Sequence, residues 1–388
     1  MYDLARGLTR RQFLRATGAA AATVGLGGIA AACSAGSNPT TVPSASPGGS
    51  ASAAPPTPAP TGTLNWMTWA DHYYPAQLDE IVAANGIKTS ITELADDSDG
   101  FTKLKEVRGQ LDMMSADALW VPKYFEEGLV EAWDLGQLDV SKQLYSIARE
   151  FAIWTTPQGY LGYPIGWSPT VIYYDPAHVS PAPDSWEVLF DPKYKKRVGV
   201  QNMPTEVMAY MGLAAGVKDP YNMTTDEIAQ AKAMLIKLKP NLTGLFNQGN
   251  GGVAALKSGE IWVCPGNLGW ETRVKEQGGP DLKVLVPKEG TVGWMDAEMI
   301  VKGGENQNLI LPFLELAEQA EYIAANFMLN RRPLFNEKAY KLLINQGQQE
   351  TADRYLYNKP ETLNTMKLMG PGANTQVVLD AWNEVMGS

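Results

Sequence analysis

Residues 63–94 read TLNWMTWADHYYPAQLDEIVAANGIKTSITEL. The first eight of these residues predict a strand, and the alternation of apolar and polar residues at 87–94 predicts a second strand. Between them, apolar residues recur at helical spacing over 75–85, and Gly86 stands at the position typical of a helix C-cap. This stretch therefore predicts a strand, a helix and a strand in succession.

The same alternation continues along the chain. A helix is predicted after the acidic loop at 96–99, and residues 116–121 predict a buried strand. This β-α-β-α-β order indicates a parallel sheet of the α/β class. Ligands of such sheets bind beyond the carboxyl ends of the strands, where Trp69, Asp71 and Trp120 are expected.

The second half of the chain predicts another set of strands and helices. A capping box of Thr224 and Glu227 opens one helix, which ends before Pro240. Two α/β units of roughly 150 residues fit the length of the chain better than one. The other predicted elements are strands at 171–174, 197–200, 261–264 and 283–286, and helices at 206–215 and 312–328.

The N-terminal residues predict export. Residues 9–15 read TRRQFLR, which is typical of a twin-arginine signal, and the uncharged run at 16–32 is too short and too rich in small residues for a membrane span. Residues 1–32 are thus predicted to be a signal peptide. It ends in AAAC, which is similar to a bacterial lipobox, although Ala30 stands where a larger aliphatic residue is usual. We expect a lipid on Cys33; the alternative is an ordinary signal-peptidase site with an incidental cysteine.

Residues 33–61 contain no charge and are rich in Pro, Ser and Ala, so they predict a disordered linker. The folded part is expected to begin near Gly62, and Cys264 is its only cysteine, predicted to be a buried thiol without a disulfide. These features together predict a cell-surface or periplasmic lipoprotein that is exported by the twin-arginine route and anchored to the membrane.

Composition excludes several classes of protein. The 388 residues are 45% hydrophobic and 19% charged, as in globular proteins. The net charge is −10, and the signal peptide contributes +3, so the remainder carries −13 and is not expected to bind nucleic acid. Two cysteines and two histidines oppose metal and iron–sulfur sites, and we predict no metal and no cofactor. No nucleophile, zinc, phosphate or dinucleotide motif occurs, so an enzyme is not expected.

Aromatic rings and carboxylates come together in three segments. Trp69 and Asp71 follow the first strand, Trp294 precedes Asp296, and Glu206 lies at a predicted strand-to-helix turn. Aromatic faces attract cations, and carboxylates pair with ammonium groups. The pattern favours a ligand that carries amines.

Several stretches resemble the periplasmic spermidine/putrescine-binding proteins of ABC importers, and the resemblance extends over nearly all of residues 62–388. They are the opening at 64–73, YPIGW at 163–167 followed by VIYYD at 171–175, DSWEVLFDPKYK at 184–195, and VPKEG at 286–290 leading into WMD at 294–296.

The resemblance implies a two-lobed, type II "Venus flytrap" of the α/β class, with two crossover strands at the hinge and the ligand in the cleft between the lobes. Lobe 1 would comprise 62–168 plus about 297–330, and lobe 2 would comprise 169–296 plus about 331–388. The implied function is that of a monomeric binding component of an ABC importer. It would capture a linear amine such as putrescine or spermidine and deliver it to the permease subunits.

Position by position, the family's ammonium-binding acids match Glu206 and Asp296, and its stacking aromatics match Trp69 and Trp294. The resemblance adds further candidates for ligand contact, which are Asp71, Tyr73, Asp97, Tyr124, Trp167 and Trp270. Two departures stand out: residues 202–204 offer no acid where polyamine binders commonly carry one, and Pro265 replaces a tryptophan, whose space Trp270 could fill.

Arg332 leaves the ligand class open. It stands near a tyrosine of the family's pocket, where a guanidinium would repel a polycation and clamp a carboxylate. A ligand with both an amine and a carboxylate, such as an aminobutyrate or an opine, is therefore the alternative. Arg331 and Arg332 could equally be solvated cations at a helix end. Less favoured alternatives are a ferric-ion site at Tyr73-Tyr74 or Tyr173-Tyr174 and a secreted hydrolase.

Overall fold

The computed structural model describes residues 60–73, 78, 82–83, 85–247 and 250–387. The predicted signal peptide, Cys33 and nearly all of the linker lie outside these residues, as does most of the helix predicted at 75–85. Within the described ranges, no helix is both long enough and apolar enough to cross a membrane.

The strands of the described residues form two main sheets and one small hairpin. In chain order they are β1 (Gly62–Thr68), β2 (Ile87–Glu93), β3 (Met113–Asp117), β4 (Val130–Glu131), β5 (Thr155–Thr156), β6 (Gly159–Tyr160), β7 (Tyr163–Pro169), β8 (Val171–Tyr174), β9 (Val198–Gln201), β10 (Leu242–Phe246), β11 (Val263–Gly266), β12 (Lys283–Leu285), β13 (Val292–Val301) and β14 (Lys367–Leu368).

The first sheet has the order β14-β13-β3-β1-β2, with β4 and β7 also paired to β13. Strand β1 runs parallel to both β2 and β3, which confirms the predicted parallel sheet. The strand predicted at 116–121 was misplaced: β3 covers Met113–Asp117, and Trp120 begins a helix. The mostly apolar run at 116–121 covers the end of β3 and the start of this helix, and a short apolar run does not by itself distinguish a strand from a buried helix.

The second sheet has the order β10-β9-β11-β8-β12, in which β9 lies parallel to β10 and β11, and β8 lies antiparallel to β11 and β12. Tyr173 and Tyr174 on β8 belong to different hydrophobic clusters, because neighbouring side chains of a strand point to opposite faces. Cys264 on β11 is a buried free thiol, as predicted.

The helices cover the outer faces of the sheets. They are α1 (Asp97–Val107), α2 (Trp120–Glu126), α3 (Ser146–Arg149), α4 (Pro204–Ala214), α5 (Thr225–Leu238), α6 (Gly251–Ser258), α7 (Trp270–Glu276), α8 (Ile310–Ala317), α9 (Ala320–Asn330), α10 (Glu337–Asn345), α11 (Gln349–Arg354) and α12 (Thr375–Met386). Short 3₁₀ turns occur at Arg108–Gln110, Leu135–Gln137, Asp139–Gln143, Ala152–Trp154, Trp186–Phe190, Pro192–Tyr194, Lys239–Asn241, Gln307–Leu309 and Pro360–Thr365.

Two helix predictions had different outcomes. The capping box of Thr224 and Glu227 opens α5 as predicted, with both reciprocal hydrogen bonds formed. The single helix predicted at 312–328 is instead two helices, α8 and α9, separated where Gln319 adopts an extended conformation. Both helices bury apolar residues, so the hydrophobic pattern continues through the break and conceals it.

The chain passes between the two sheets at Thr170 and again between β12 and β13. These crossings lie side by side, because the Thr170 amide donates to the Val292 carbonyl at 2.9 Å. This arrangement is the predicted two-lobed fold. Residues 334–363 contribute to the core beneath the first sheet, whereas α12 packs on α4 and α5 of the second. The lobe boundaries given above stay a prediction.

Candidate functional site

A small cavity, partly open to solvent, lies between the two sheets. Its volume of about 20 Å³ leaves room for one or two water molecules. The lobes share its walls, which consist of Trp69, Asp71, Asp117, Met203, Glu206, Asn267, Trp294, Asp296 and Met369.

The acids of the cavity are placed by strands, at or after their ends or, for Asp296, within β13. Asp117 is the last residue of β3, and Asp296 is its register partner on the antiparallel β13. Glu206 lies in the first turn of α4, which follows β9 and begins at Pro204. The carboxyl ends of parallel strands in both sheets therefore supply acids to one space, as expected for an α/β fold.

Three of the carboxyl groups form a buried chain. Asp97 and Asp296 both interact with Asp117, whose amide also donates to Asp97 Oδ1 at 3.1 Å. Burial and then repulsion from the neighbouring acid raise the pKa of Asp97 and of Asp117 well above the usual range, and burial raises the pKa of Asp296 to about 8. Like charges at such spacing do not all ionise together, so the chain requires protons or an added cation.

His72 contacts the carboxyl groups of both Asp296 and Glu298. Its Nε2 lies 2.7 Å from Asp296 Oδ2, and its Nδ1 lies 2.9 Å from Glu298 Oε1. Ser115 and the Trp66 indole also donate to Glu298, each at 2.8 Å. Asp296 Oδ2 is thus occupied, whereas the buried Oδ1 has no hydrogen-bond partner among the described residues. That oxygen is available to a ligand.

Glu206 is the acid that the second lobe contributes. The Thr170 hydroxyl donates to Glu206 Oε1 at 2.6 Å, so the carboxyl group is tied to the residue at which the chain crosses between the sheets. Burial raises the pKa of Glu206 to about 7. Near neutral pH, the protonated and ionised forms of Glu206 therefore differ little in free energy, and the ionised form can pair with a cation.

Two tryptophans supply the aromatic walls. Trp69 directly follows β1, and its indole nitrogen is buried without a hydrogen-bond partner in the described part of the chain. Trp294 donates from its indole nitrogen to Asn267 Oδ1 at 3.0 Å, which joins β13 of the first sheet to the residue after β11 of the second. Their faces suit both alkyl chains and cations.

Arg332 is buried beside the cavity, with only 2% of its surface exposed. Its Nη2 donates to the Asp71 carbonyl at 2.8 Å, and its Nη1 lies 3.5 Å from Asp71 Oδ2 and 3.7 Å from Asp296 Oδ2. The guanidinium also lies 5.5 Å from the Trp294 ring centre. Burial raises the pKa of Asp71, but the nearby charges, of which Arg332 is the strongest, and a backbone hydrogen bond together outweigh burial, and the pKa is lowered. The interpretation of Arg332 as a solvated helix-end cation was therefore wrong.

Arg331 is also buried, but it points elsewhere. It follows the end of α9 in a left-handed conformation (φ 60°), and its Nη2 lies 3.0 Å from Glu276 Oε1. It is not among the residues that line the described cavity. The two adjacent arginines thus differ in their partners, which makes Arg331 a natural control for Arg332.

The cavity brings together five of the predicted site residues, which are Trp69, Asp71, Glu206, Trp294 and Asp296. Arg332 and Asp97 contact these acids or Asp117 from outside the wall. The remaining four predicted residues take up other contacts. Tyr73 donates to Glu93, Tyr124 donates to the Asp97 carbonyl, Trp167 is fully buried on β7, and Trp270 stacks on Tyr173 at 5.8 Å.

Four wall residues were missed as site candidates, and one of them, Met203, directly precedes helix α4. Asp117 fell inside the misplaced strand at 116–121, although it ends β3 and thus meets the rule used for Trp69. Asn267 directly follows the end of β11, so the same rule could have found it. Met369 follows the two-residue strand β14, which has too little pattern to be predicted.

The described residues contain no group of three or more His, Cys, Asp or Glu side chains arranged to hold a metal ion. The Tyr173 hydroxyl donates to the Asn267 carbonyl at 2.6 Å, and Tyr174 faces the other core. The two adjacent tyrosines therefore do not converge on one point.

Comparison with known proteins agrees with this geometry. Residues 76–342 match the family model of the bacterial extracellular solute-binding proteins. The spermidine/putrescine-binding periplasmic protein of Escherichia coli is 27% identical over 316 residues, which cover 78% of this chain and 84% of the relative. The putrescine-binding periplasmic protein SpuD of Pseudomonas aeruginosa is 24% identical over 282 residues, or 67% of this chain and 75% of the relative.

Solved structures show the same fold. The spermidine/putrescine ABC transporter substrate-binding protein PotD of Streptococcus pneumoniae has a TM-score of 0.65 at 19% identity, covering 84% of this chain and 98% of that chain. The Tp0655 lipoprotein of Treponema pallidum has a TM-score of 0.69 at 17% identity, with 84% and 100% covered. With the family match extending over well more than half of its length, this chain belongs to the bacterial extracellular solute-binding proteins.

Proposed function

We propose that this protein captures a small linear amine, of the putrescine or spermidine kind, in the cleft between its lobes and delivers it to an ABC permease. One observation carries the proposal: the buried acids Asp117, Asp296 and Glu206 surround a cavity walled by Trp69 and Trp294. Buried carboxylates are stable when paired, and an ammonium ligand would supply the missing positive charge. The similarity to the spermidine/putrescine-binding protein of Escherichia coli and the putrescine-binding protein of Pseudomonas aeruginosa supports the same ligand class.

The proposed mechanism is capture without chemistry. The tryptophan faces desolvate the alkyl chain of the ligand, while Asp296 Oδ1 and the Glu206 carboxylate accept from its ammonium groups. Because Asp296 lies on the first sheet and Glu206 follows a strand of the second, the ligand would interact best with the closed form and shift the population towards it. The closed form is then what the permease would recognise.

The proposal extends to the route and the location of the protein. The TRRQFLR signal would direct the folded protein to twin-arginine export, and lipid on Cys33 would tether a monomer to the membrane beside the permease. The uncharged linker would give the folded part reach from that anchor. No enzymatic role is proposed.

A second candidate ligand carries both an amine and a carboxylate. One observation favours it: Arg332 Nε and Nη1 are buried and form no hydrogen bond with any described residue. A ligand carboxylate could accept from them, since guanidinium donors match carboxylate geometry.

A ligand screen tests the proposal. Thermal-shift measurements would compare putrescine, spermidine, 4-aminobutyrate and an opine, and calorimetry would then give the Kd of each ligand that stabilises the protein. We expect the amines without a carboxylate to raise the Tm most. If only the carboxylate-bearing ligands raise it, the second candidate is correct; if none does, the proposed ligand class is wrong.

A further inference from the structure

We infer that Arg332 is a specificity-determining residue that stands in for one cationic group of a longer polyamine, so that the site takes a linear diamine and rejects a triamine. This inference rests on the proposed function, because it concerns the same cleft. It starts from the position of Arg332, which the backbone holds in place.

The segment that carries Arg332 is fastened to strand β7. The Trp167 amide donates to the Pro333 carbonyl, and the Phe335 amide donates to the Ile165 carbonyl, both at 3.2 Å. The close approach needs a glycine at position 166, where a Cβ atom would lie 2.7 Å from the Pro333 carbonyl oxygen. The guanidinium is therefore presented from a fixed backbone rather than from a mobile helix end.

Arg332 interacts with groups that a ligand would otherwise use. Its Nη1 faces the carboxylates of Asp71 and Asp296, and its guanidinium lies against the Trp294 ring. All three of these residues line the cavity. An arginine is always protonated, so this side of the cleft already holds a positive charge that belongs to the protein.

Other carboxyl groups of the cavity could still pair with a ligand cation. Asp117 is surrounded by the carboxyl groups of Asp97 and Asp296, and the side chain of Glu206 accepts from the neutral hydroxyl group of Thr170. Asp296 keeps its Oδ1 without a partner within the described chain. The unneutralised acids thus suit the ammonium groups of a short ligand.

A longer ligand would have to place a further ammonium beside Arg332. Like charges in a desolvated interface are strongly unfavourable, and the carboxylates that could compensate are already shared with the guanidinium. Arg332 would attract the carboxylate of a carboxylate-bearing ligand. The gain in binding free energy is reduced, because Asp71 and Asp296 beside Arg332 would repel the same carboxylate. The charge pattern therefore selects a diamine over both a triamine and an ω-amino acid.

The test is calorimetry of the full chain with putrescine, spermidine and 4-aminobutyrate as probes. We expect the wild type to bind putrescine at least about tenfold more tightly than spermidine, and Arg332→Gln to reduce that ratio by about tenfold. Arg332→Lys keeps the charge and should keep the preference. Arg331→Gln removes the neighbouring charge, which pairs with Glu276 away from the cavity wall, and should also leave the ratio unchanged.

The outcomes separate the two proposals. If wild type binds none of the amines, the proposed function fails and the inference fails with it. If wild type binds amines but prefers spermidine, or if folded Arg332→Gln keeps the wild-type ratio, the inference alone is overturned. Tight binding of 4-aminobutyrate that disappears in Arg332→Gln would also overturn it. Thermal denaturation without ligand checks that each variant is folded; if Arg332→Gln is not, a loss of the preference in Arg332→Lys overturns the inference.

Discussion

Asp117 and Asp296 stand directly opposite each other on the antiparallel strands β3 and β13, and both carboxyl groups are buried. Cross-strand neighbours are the closest pairs in a sheet, and like charges there are destabilising unless something neutralises them. Within the first sheet, this pair is where a bound ammonium group would bring the largest gain. Burial and the neighbouring Asp296 raise the pKa of Asp117, so we expect the ligand-free site to retain protons.

Removing the charge of Asp296 should weaken ligand binding. Asp296→Asn leaves a ligand ammonium without its buried counter-charge, which costs about 2 kcal/mol or more, roughly thirtyfold in Kd. Calorimetry with the best amine measures the change. Asp281→Asn is the control, because Asp281 is exposed and pairs only with surface lysines. An unchanged Kd in Asp296→Asn would show that Asp296 does not contact the ligand.

Ligand affinity should rise with pH between about 6 and 8.5. The pKa of Glu206 is raised to about 7 and that of Asp296 to about 8, so the ligand-free protein holds protons that a cation must displace. The ligand amines stay protonated, since such groups have a pKa of about 10. Calorimetry in buffers of different ionisation enthalpy should show proton release on binding near pH 7. Binding without proton release would contradict the proposed pairing.

The stability of the ligand-free protein should change in the opposite direction. An acid whose pKa is raised on folding stabilises the folded form below its unfolded pKa, and this contribution is lost as pH rises through the folded value. We therefore expect the Tm without ligand to fall between about pH 5 and 8. Glu206→Gln cannot ionise and should flatten part of that decline. A Tm that rises steadily over this range would refute the assignment.

His72 should matter for stability, and the other histidine of the chain should not. His72→Ala leaves Asp296 and Glu298 without their shared buried partner, which we expect to cost about 3 kcal/mol in the free energy of unfolding. His178 is the matched control, since its side chain is 46% exposed and lies 3.9 Å from Asp175. His178→Ala should cost less than about 1 kcal/mol. Urea denaturation compares the two variants, and equal losses would refute the bridging role.

The Thr170 hydroxyl should contribute to affinity by holding Glu206. Thr170→Val removes one hydrogen bond to a carboxylate and should weaken binding by about 1 to 2 kcal/mol, while the overall fold is kept. Thr243→Val is the control, because the Thr243 hydroxyl is buried without a hydrogen-bond partner among the described residues. If both variants bind the amine like wild type, Glu206 does not depend on Thr170.

Several strands and one helix start were predictable because the sequence patterns that indicate them are local. The alternation at 87–94, the apolar run at 171–174 and the capping box of Thr224 each depend on a few neighbouring residues. The break between α8 and α9 was not predictable in this way, because both helices keep the same apolar pattern and only the backbone of Gln319 departs from it.

The site was predictable where one segment carries both its chemistry and its position at a strand end. Trp69 and Asp71 meet that condition and line the cavity, whereas Trp294 and Asp296, which also line it, lie within β13 and were found from their chemistry and the family resemblance. The pairing of Asp117 with Asp296 joins residues 179 positions apart, and the His72 bridge to Glu298 spans 226, so neither has a local pattern. Such contacts depend on the register in which strands distant in sequence pair. No local pattern in a single sequence indicates that register.

The bond between the Trp294 indole and Asn267 has a practical consequence. It joins a residue on β13 of the first sheet to one that follows β11 of the second, so we expect it to break when the two sheets separate and to re-form when they close. Indole emission responds to such a change in polarity and hydrogen bonding. The protein thus contains a built-in optical reporter of cleft closure, whose signal a Trp294→Phe variant would remove.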